Sequence, residues 1–188
     1  MSELASPGQL RAALLRWSLF LAPLLLLLGT LSGASAGSAA GNPWFMELTK
    51  PSLYPPPATF GIVWTFLYLL MGITVAMIVT ARGAPGRKAA LIAFAVQFVL
   101  NLAWSPLFFG AHQIKAALVL LVAIDLAVIV TLVLFHKVRP MAAYLLLPYL
   151  AWGLFAALLN WQILQANPGA DAGNDMALHL NQTAQQAI

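Results

Sequence analysis

Five apolar runs, each long enough to cross a bilayer, constrain this chain more than anything else in it. Spanning roughly 30 Å of hydrocarbon takes about twenty apolar residues in a helix. Residues 12–32, 57–81, 89–109, 116–135 and 141–164 meet or approach that requirement. Runs such as 116–124 are apolar on both parities, which excludes the alternating pattern of a lipid-facing barrel strand. The expected fold is therefore all-α, an integral membrane bundle of five transmembrane helices in one domain over residues 1–166, followed by a polar tail over 167–188. Composition agrees, since 62% of the residues are hydrophobic and only 7% charged. A water-soluble domain of average composition has about a quarter of its residues charged.

The formal charge of +4 is not a nucleic-acid signal, because the cations sit at the ends of the apolar runs. Seven of the nine basic residues fall on one side: Arg11, Arg16, Arg82, Arg87, Lys88, Lys137 and Arg139. Lys50 and Lys115 fall on the other. By the positive-inside rule the amino terminus is expected inside and the carboxyl terminus outside, which an odd number of spans requires. A competing reading of the first run is a cleaved signal peptide, since Arg11 and Arg16 precede an apolar core and Ala34-Ser35-Ala36 has the small-x-small form.

Chemistry concentrates in the first loop and in three stripes. The loop contains Trp44-Phe45-Met46-Glu47-Leu48-Thr49-Lys50-Pro51-Ser52-Leu53-Tyr54-Pro55-Pro56-Pro57. Proline fixes φ and lacks an N–H, so this run reads as a stiff lead-in able to act as a lid, with Pro57 opening the second span. Its aromatics also suit a membrane-interface belt. Along the spans, Phe60, Trp64, Tyr68 and Met71 share one face, as do Gln97, Asn101, Trp104 and Phe108, and Tyr149, Trp152, Ala156 and Asn160. Carboxamides are poorly placed against lipid, so the stripes either glue helices together or converge on one pocket. Pro106 and Pro148 each remove a helical hydrogen bond and favour kinks that open space.

Other chemistries find little support. Asp125 is the one formal charge near the centre of a span, a candidate for function by its depth, with hydrogen bonding to an amide of the third span as the alternative. His112 and His136 bracket the fourth span about 36 Å apart, so they do not share a metal, and none is expected. The chain has no cysteine, and no serine has a triad partner in view.

Four ordered segments carry a family resemblance. They are Trp44-Phe45-x-x-Leu48-x-Lys50-Pro51-x-x-x-Pro55-Pro56, Val63-Trp64-x-x-Leu67-Tyr68, Gln97-x-x-Leu100-Asn101-x-x-Trp104-x-Pro106-x-Phe108-Phe109-Gly110, and Pro148-Tyr149-Leu150-x-Trp152 through Leu159-Asn160. The chain resembles the TspO or translocator protein family, also called tryptophan-rich sensory proteins or peripheral-type benzodiazepine receptors. The resemblance implies a five-helix bundle, often a homodimer, whose pocket binds porphyrins and related tetrapyrroles, sterols in some members, and synthetic benzodiazepine-type ligands. It implies a role in tetrapyrrole transport, sensing or light-dependent breakdown, the last attributed to tryptophans matching Trp44 and Trp152. Pocket positions carry over to Phe45, Pro55, Trp64, Tyr68, Asn101, Trp104, Trp152, Ala156 and Leu159.

The full expected site adds Trp44, Lys50, Gln97, Tyr149 and Asn160, with Lys50 or Lys115 meeting an acidic edge of the ligand and entry near the first loop. No catalytic residue is firm and no cofactor is required; porphyrin is the expected ligand, beside membrane lipid and a second copy of the chain. Phe45 stands where many members have tyrosine, and Leu53 replaces a common tryptophan. No lysine or arginine follows Trp161, which weakens the case for a sterol motif. Outside the family, the rival reading is a small proton-coupled carrier centred on Asp125.

Overall fold

The computed structural model describes residues 6–38 and 41–171. All regular structure among them is helical, and five helices are long and apolar enough to cross a membrane. We label the elements α1 (Pro7–Ser35), α2 (Pro43–Glu47), α3 (Pro57–Val79), α4 (Arg87–Ser105), a π-turn (Pro106–Gly110), α5 (Ile114–Val138) and α6 (Pro140–Ala166). Each expected span is present, shifted by a few residues at its ends. α1 begins five residues earlier than the apolar run because Ser6 and Gln9 form a reciprocal capping box and Pro7 occupies the first helical position. Pro57 and Pro140 open α3 and α6 in the same way. Of the tail, residues 172–188 lie outside the described residues.

Close approach of α1 and α3 is written in small residues. A Cβ on Gly72 would collide with the backbone of Ala22, and one on Gly29 would enter the Tyr68 ring. Without glycine at both, these helices would have to separate, the same small-residue logic that drives membrane helix pairs generally. Deeper packing is apolar: Met71, Ala76, Ile78, Phe135 and Leu146 are fully buried, and Phe94 stacks against Phe135.

Pro106 shapes the end of α4. Lacking an N–H, it leaves the Leu102 carbonyl without its helical donor, and the Ser32 hydroxyl of α1 donates to that carbonyl at 2.5 Å. The backbone beyond widens into the π-turn, closed by Ala111 N–H donating to the Pro106 carbonyl at 2.8 Å. His112 then takes a left-handed backbone, φ 54°, and the chain turns into α5. The proline expected to kink the third span thus also bolts α1 to α4. This makes α1 a structural wall of the bundle in the chain described.

Candidate functional site, an aromatic cavity under a loop cap

A cavity of about 620 Å³ occupies one half of the bundle, between the first loop and the mid-depth of α1, α3, α4 and α6. That size lies within the ~300–1,000 Å³ typical of small-molecule sites. Ten of the expected site residues line it: Phe45, Lys50, Trp64, Tyr68, Asn101, Trp104, Trp152, Ala156, Leu159 and Asn160. The three stripes do converge, but only over their capped halves. Their deep ends, Met71, Gln97 and Tyr149, fall below the floor and pack tightly, at 0%, 0% and 2% exposure. Gln97 and Tyr149 are therefore placed under the cavity rather than around it.

Trp44 and Pro55 are also outside the lining. Trp44 stacks on His112 with ring centroids 4.3 Å apart and planes 13° from parallel, and meets Phe108 edge-on. It buttresses the cap from outside, so the structure does not bring Trp44 and Trp152 together on one cavity wall. Pro55 follows Tyr54 in the stiff segment leading to α3. Lys115 is likewise absent from the lining; its backbone N–H donates to the Asp171 carboxylate at 3.3 Å, in the first turn of α5.

The walls are rings in series. Tyr54 stacks on Phe60 at 5.1 Å, and Phe60 meets Trp152 edge-on at 5.7 Å. Trp64 stacks on Tyr68 at 5.3 Å, and Trp104 on Phe108 at 5.0 Å. Such pairs contribute about 0.5–1.5 kcal/mol each beyond the area they bury. The Tyr68 hydroxyl donates to Asn101 Oδ1 at 2.9 Å, so one amide of the third span is satisfied by a phenol of the second. Asn160 donates through Nδ2 to the Ile114 carbonyl at 2.9 Å, while its Oδ1 has no protein partner, nor do the indole nitrogens of Trp104 and Trp152.

The cap is a folded piece rather than an extended strand. Asn42 accepts from the Phe45 N–H at 2.9 Å and starts α2, and Pro43 fills its first position. Lys50 closes the other end by donating to the carbonyls of Phe45 and Met46, its ammonium 4.7 Å from the Phe45 ring centroid. Partial burial lowers the Lys50 pKa from the ordinary lysine value, and partial burial raises that of the Tyr54 phenol. Phe45 and Leu48 are buried. A clasp holds the cap from the far side: Thr49 N–H donates to Asn167 Oδ1 at 2.8 Å, and Asn167 Nδ2 donates to the Thr49 carbonyl at 2.9 Å.

Asp125 is 5% exposed in α5 and faces Gly153 of α6, where a Cβ would strike its Oδ1. That oxygen has no hydrogen-bond partner. Sequence reasoning missed the α1 contribution: Leu26, Gly29, Thr30, Gly33 and Ala34 all line the cavity. Their three- and four-residue spacing was legible, but small residues carry no chemistry that marks a wall.

Residues 20–166 match the model of the TspO/MBR family. The chain belongs to the TspO/MBR family. Translocator protein from Sus scrofa is 43% identical over 135 residues, 71% of this chain and 80% of that protein. Tryptophan-rich protein TspO from Chlorobaculum tepidum is 39% identical over 126 residues, 66% of this chain and 80% of its own length. Tryptophan-rich sensory protein from Cereibacter sphaeroides is 32% identical over 154 residues, 80% of this chain and 92% of its own. This TspO/MBR member is accordingly a multi-pass membrane protein with five spanning helices.

Proposed function

We propose that this chain is a membrane receptor for tetrapyrroles and similar flat apolar molecules, serving their transport or sensing. The observation that carries the reading is the cavity itself: about 620 Å³, walled by three tryptophans, two tyrosines and phenylalanines, with an ammonium at its capped end. A porphyrin offers two aromatic faces for Trp64, Trp104 and Trp152, and acidic side chains for Lys50. The names of the relatives, translocator and sensory protein, agree with a carrier or sensor role. The amino terminus is inside and the carboxyl terminus outside in this proposal, following the basic-residue bias, and the working unit is a homodimer.

Titration of detergent-solubilised protein with protoporphyrin IX, followed by porphyrin fluorescence, tests the binding claim. Saturable binding at one site per chain supports it, and the absence of saturable binding rejects it. Flux of protoporphyrin into sealed vesicles separates transport from sensing. Pigment loss under light that vanishes in Trp152→Phe would instead make the protein a photo-oxidative enzyme. A second reading, a proton-coupled carrier, draws on the unpaired Asp125 oxygen at mid-depth; unaltered flux in Asp125→Asn rejects it.

A further inference from the structure

The loop cap covers the cavity at one end, and small residues of two helices border it at its side. At the capped end the Asn167 clasp and the Lys50 bonds hold the first loop over the rings of Phe45 and Tyr54. The π-turn seals the α4 corner with Phe108 and Phe109, both packed edge-on against each other and against Phe45. The side border is formed by α1 and α3. These helices touch at Ala22 and Gly72 and again at Gly29 and Tyr68, and both line the cavity nearer the cap. The facing residues there, Thr30 and Ala34 on α1 and Gly61 and Thr65 on α3, line the cavity and are exposed at the same time. A Cβ on Gly61 would meet nothing within 4 Å. The Thr65 hydroxyl is spent on the Gly61 carbonyl at 2.8 Å, leaving its methyl to edge the slot.

Depth decides what this border faces. Gly61 and Thr65 lie four and eight residues into α3, so roughly 6 and 12 Å along its axis, and Thr30 lies about 7.5 Å from the end of α1. Both helices carry strongly apolar windows, so exposure at that level is exposure to lipid, from the headgroup boundary into the upper acyl chains. Asn160 is 2% exposed, lines the cavity and keeps an Oδ1 with no hydrogen-bond partner.

We propose that the ligand enters sideways from the leaflet on the capped side, through the slot between α1 and α3, while the loop cap stays closed. The chemistry selected is a membrane-partitioned amphiphile with a flat apolar body and an anionic edge. The body slides between small side chains, and the edge stays at interface level within reach of Lys50. The route rests on the cavity being a ligand site, as proposed above, but not on the ligand being a porphyrin.

The chain has no cysteine, so one engineered thiol is unique. Ala156→Cys places it on the α6 wall of the cavity. The protein is reconstituted in phosphatidylcholine vesicles and labelled with the flat, lipid-soluble N-(1-pyrenyl)maleimide or with a membrane-impermeant sulfonated maleimide. Adding Gly61→Trp, which fills the slot, is expected to slow pyrenyl labelling by about tenfold or more, whereas adding Asn167→Ala, which frees the cap, changes it less than about twofold. The sulfonated reagent is expected to react about tenfold more slowly than the lipid-soluble one. Thr65→Phe supplies a second plug should Gly61→Trp fail to fold. Plugs without effect, or a large acceleration by Asn167→Ala, overturn the lateral route. A protein that labels through the slot yet does not bind protoporphyrin keeps the route and rejects the porphyrin reading.

Discussion

Truncating Trp152 to alanine is the sharpest perturbation of the proposed site. The indole lines the cavity, is held edge-on by Phe60 at 5.7 Å and is tilted against Phe155 at 5.4 Å, so its orientation is fixed before any ligand arrives. A flat ligand lying on one face would cover about 60–80 Å² of ring, worth roughly 1.5–2 kcal/mol at 25 cal/mol per Å². Aromatic stacking adds about 0.5–1.5 kcal/mol. The expected loss is therefore about 2–3.5 kcal/mol, a 30- to 300-fold rise in Kd for protoporphyrin IX. Porphyrin fluorescence is the appropriate readout, because removing an indole changes the protein's own emission. Phe155→Ala is the control: it removes a ring that touches Trp152 but does not line the cavity, and its expected effect is below about 0.5 kcal/mol. An unchanged Kd in Trp152→Ala, or an equal loss in both variants, would refute the assignment of Trp152 as an anchor.

Three further outcomes follow from particular contacts. Gly72→Leu drives a side chain into the Ala22 backbone and should lower stability by about 1–3 kcal/mol, read as a fall in Tm in detergent; no change in Tm would mean that α1 and α3 do not cross there. Tyr68→Phe removes the donor to Asn101 Oδ1 and should cost about 0.6–1.7 kcal/mol, the range for interhelical hydrogen bonds in membranes, with a null effect showing that solvent or lipid serves the amide equally well. Burial lowers the Lys50 pKa from the ordinary 10.5, so its proton is lost at a lower pH than a free lysine's. The ammonium that attracts an anionic ligand is thus present below that lowered value and disappears as pH rises past it. Porphyrin affinity should fall as pH rises through that lowered value in the parent and stay flat in Lys50→Met; identical profiles would remove Lys50 from the site.

How far the site was legible depended on what each residue's signal measures. Tyr68, Asn101, Trp104 and Trp152 announced themselves, because rings and amides recurring at helical spacing inside an apolar span have few comfortable places to point. Gln97 and Tyr149 belong to the same stripes and obey the same spacing, yet they lie beneath the cavity floor. Periodicity reports which face of a helix a residue occupies, not how far apart two helices stand at its level. Trp44 misled for a different reason. Its neighbours in sequence face the cavity, but α2 turns its ring onto His112, some seventy residues away, through a contact that no local pattern encodes.

The amino-acid sequence by itself determined the solvent, the number of spans, the family and the three chemical stripes, because each of these follows from local composition and repeat spacing. Tertiary structure alone decided that the stripes part in one half of the bundle and close in the other. It alone placed the unmarked residues of α1 in the wall, joined Ser32 to the carbonyl that Pro106 orphans, and clasped the cap with Asn167. These outcomes depend on the separation between helices, which is set by pairs such as Gly72 with Ala22 that meet only once the chain has folded.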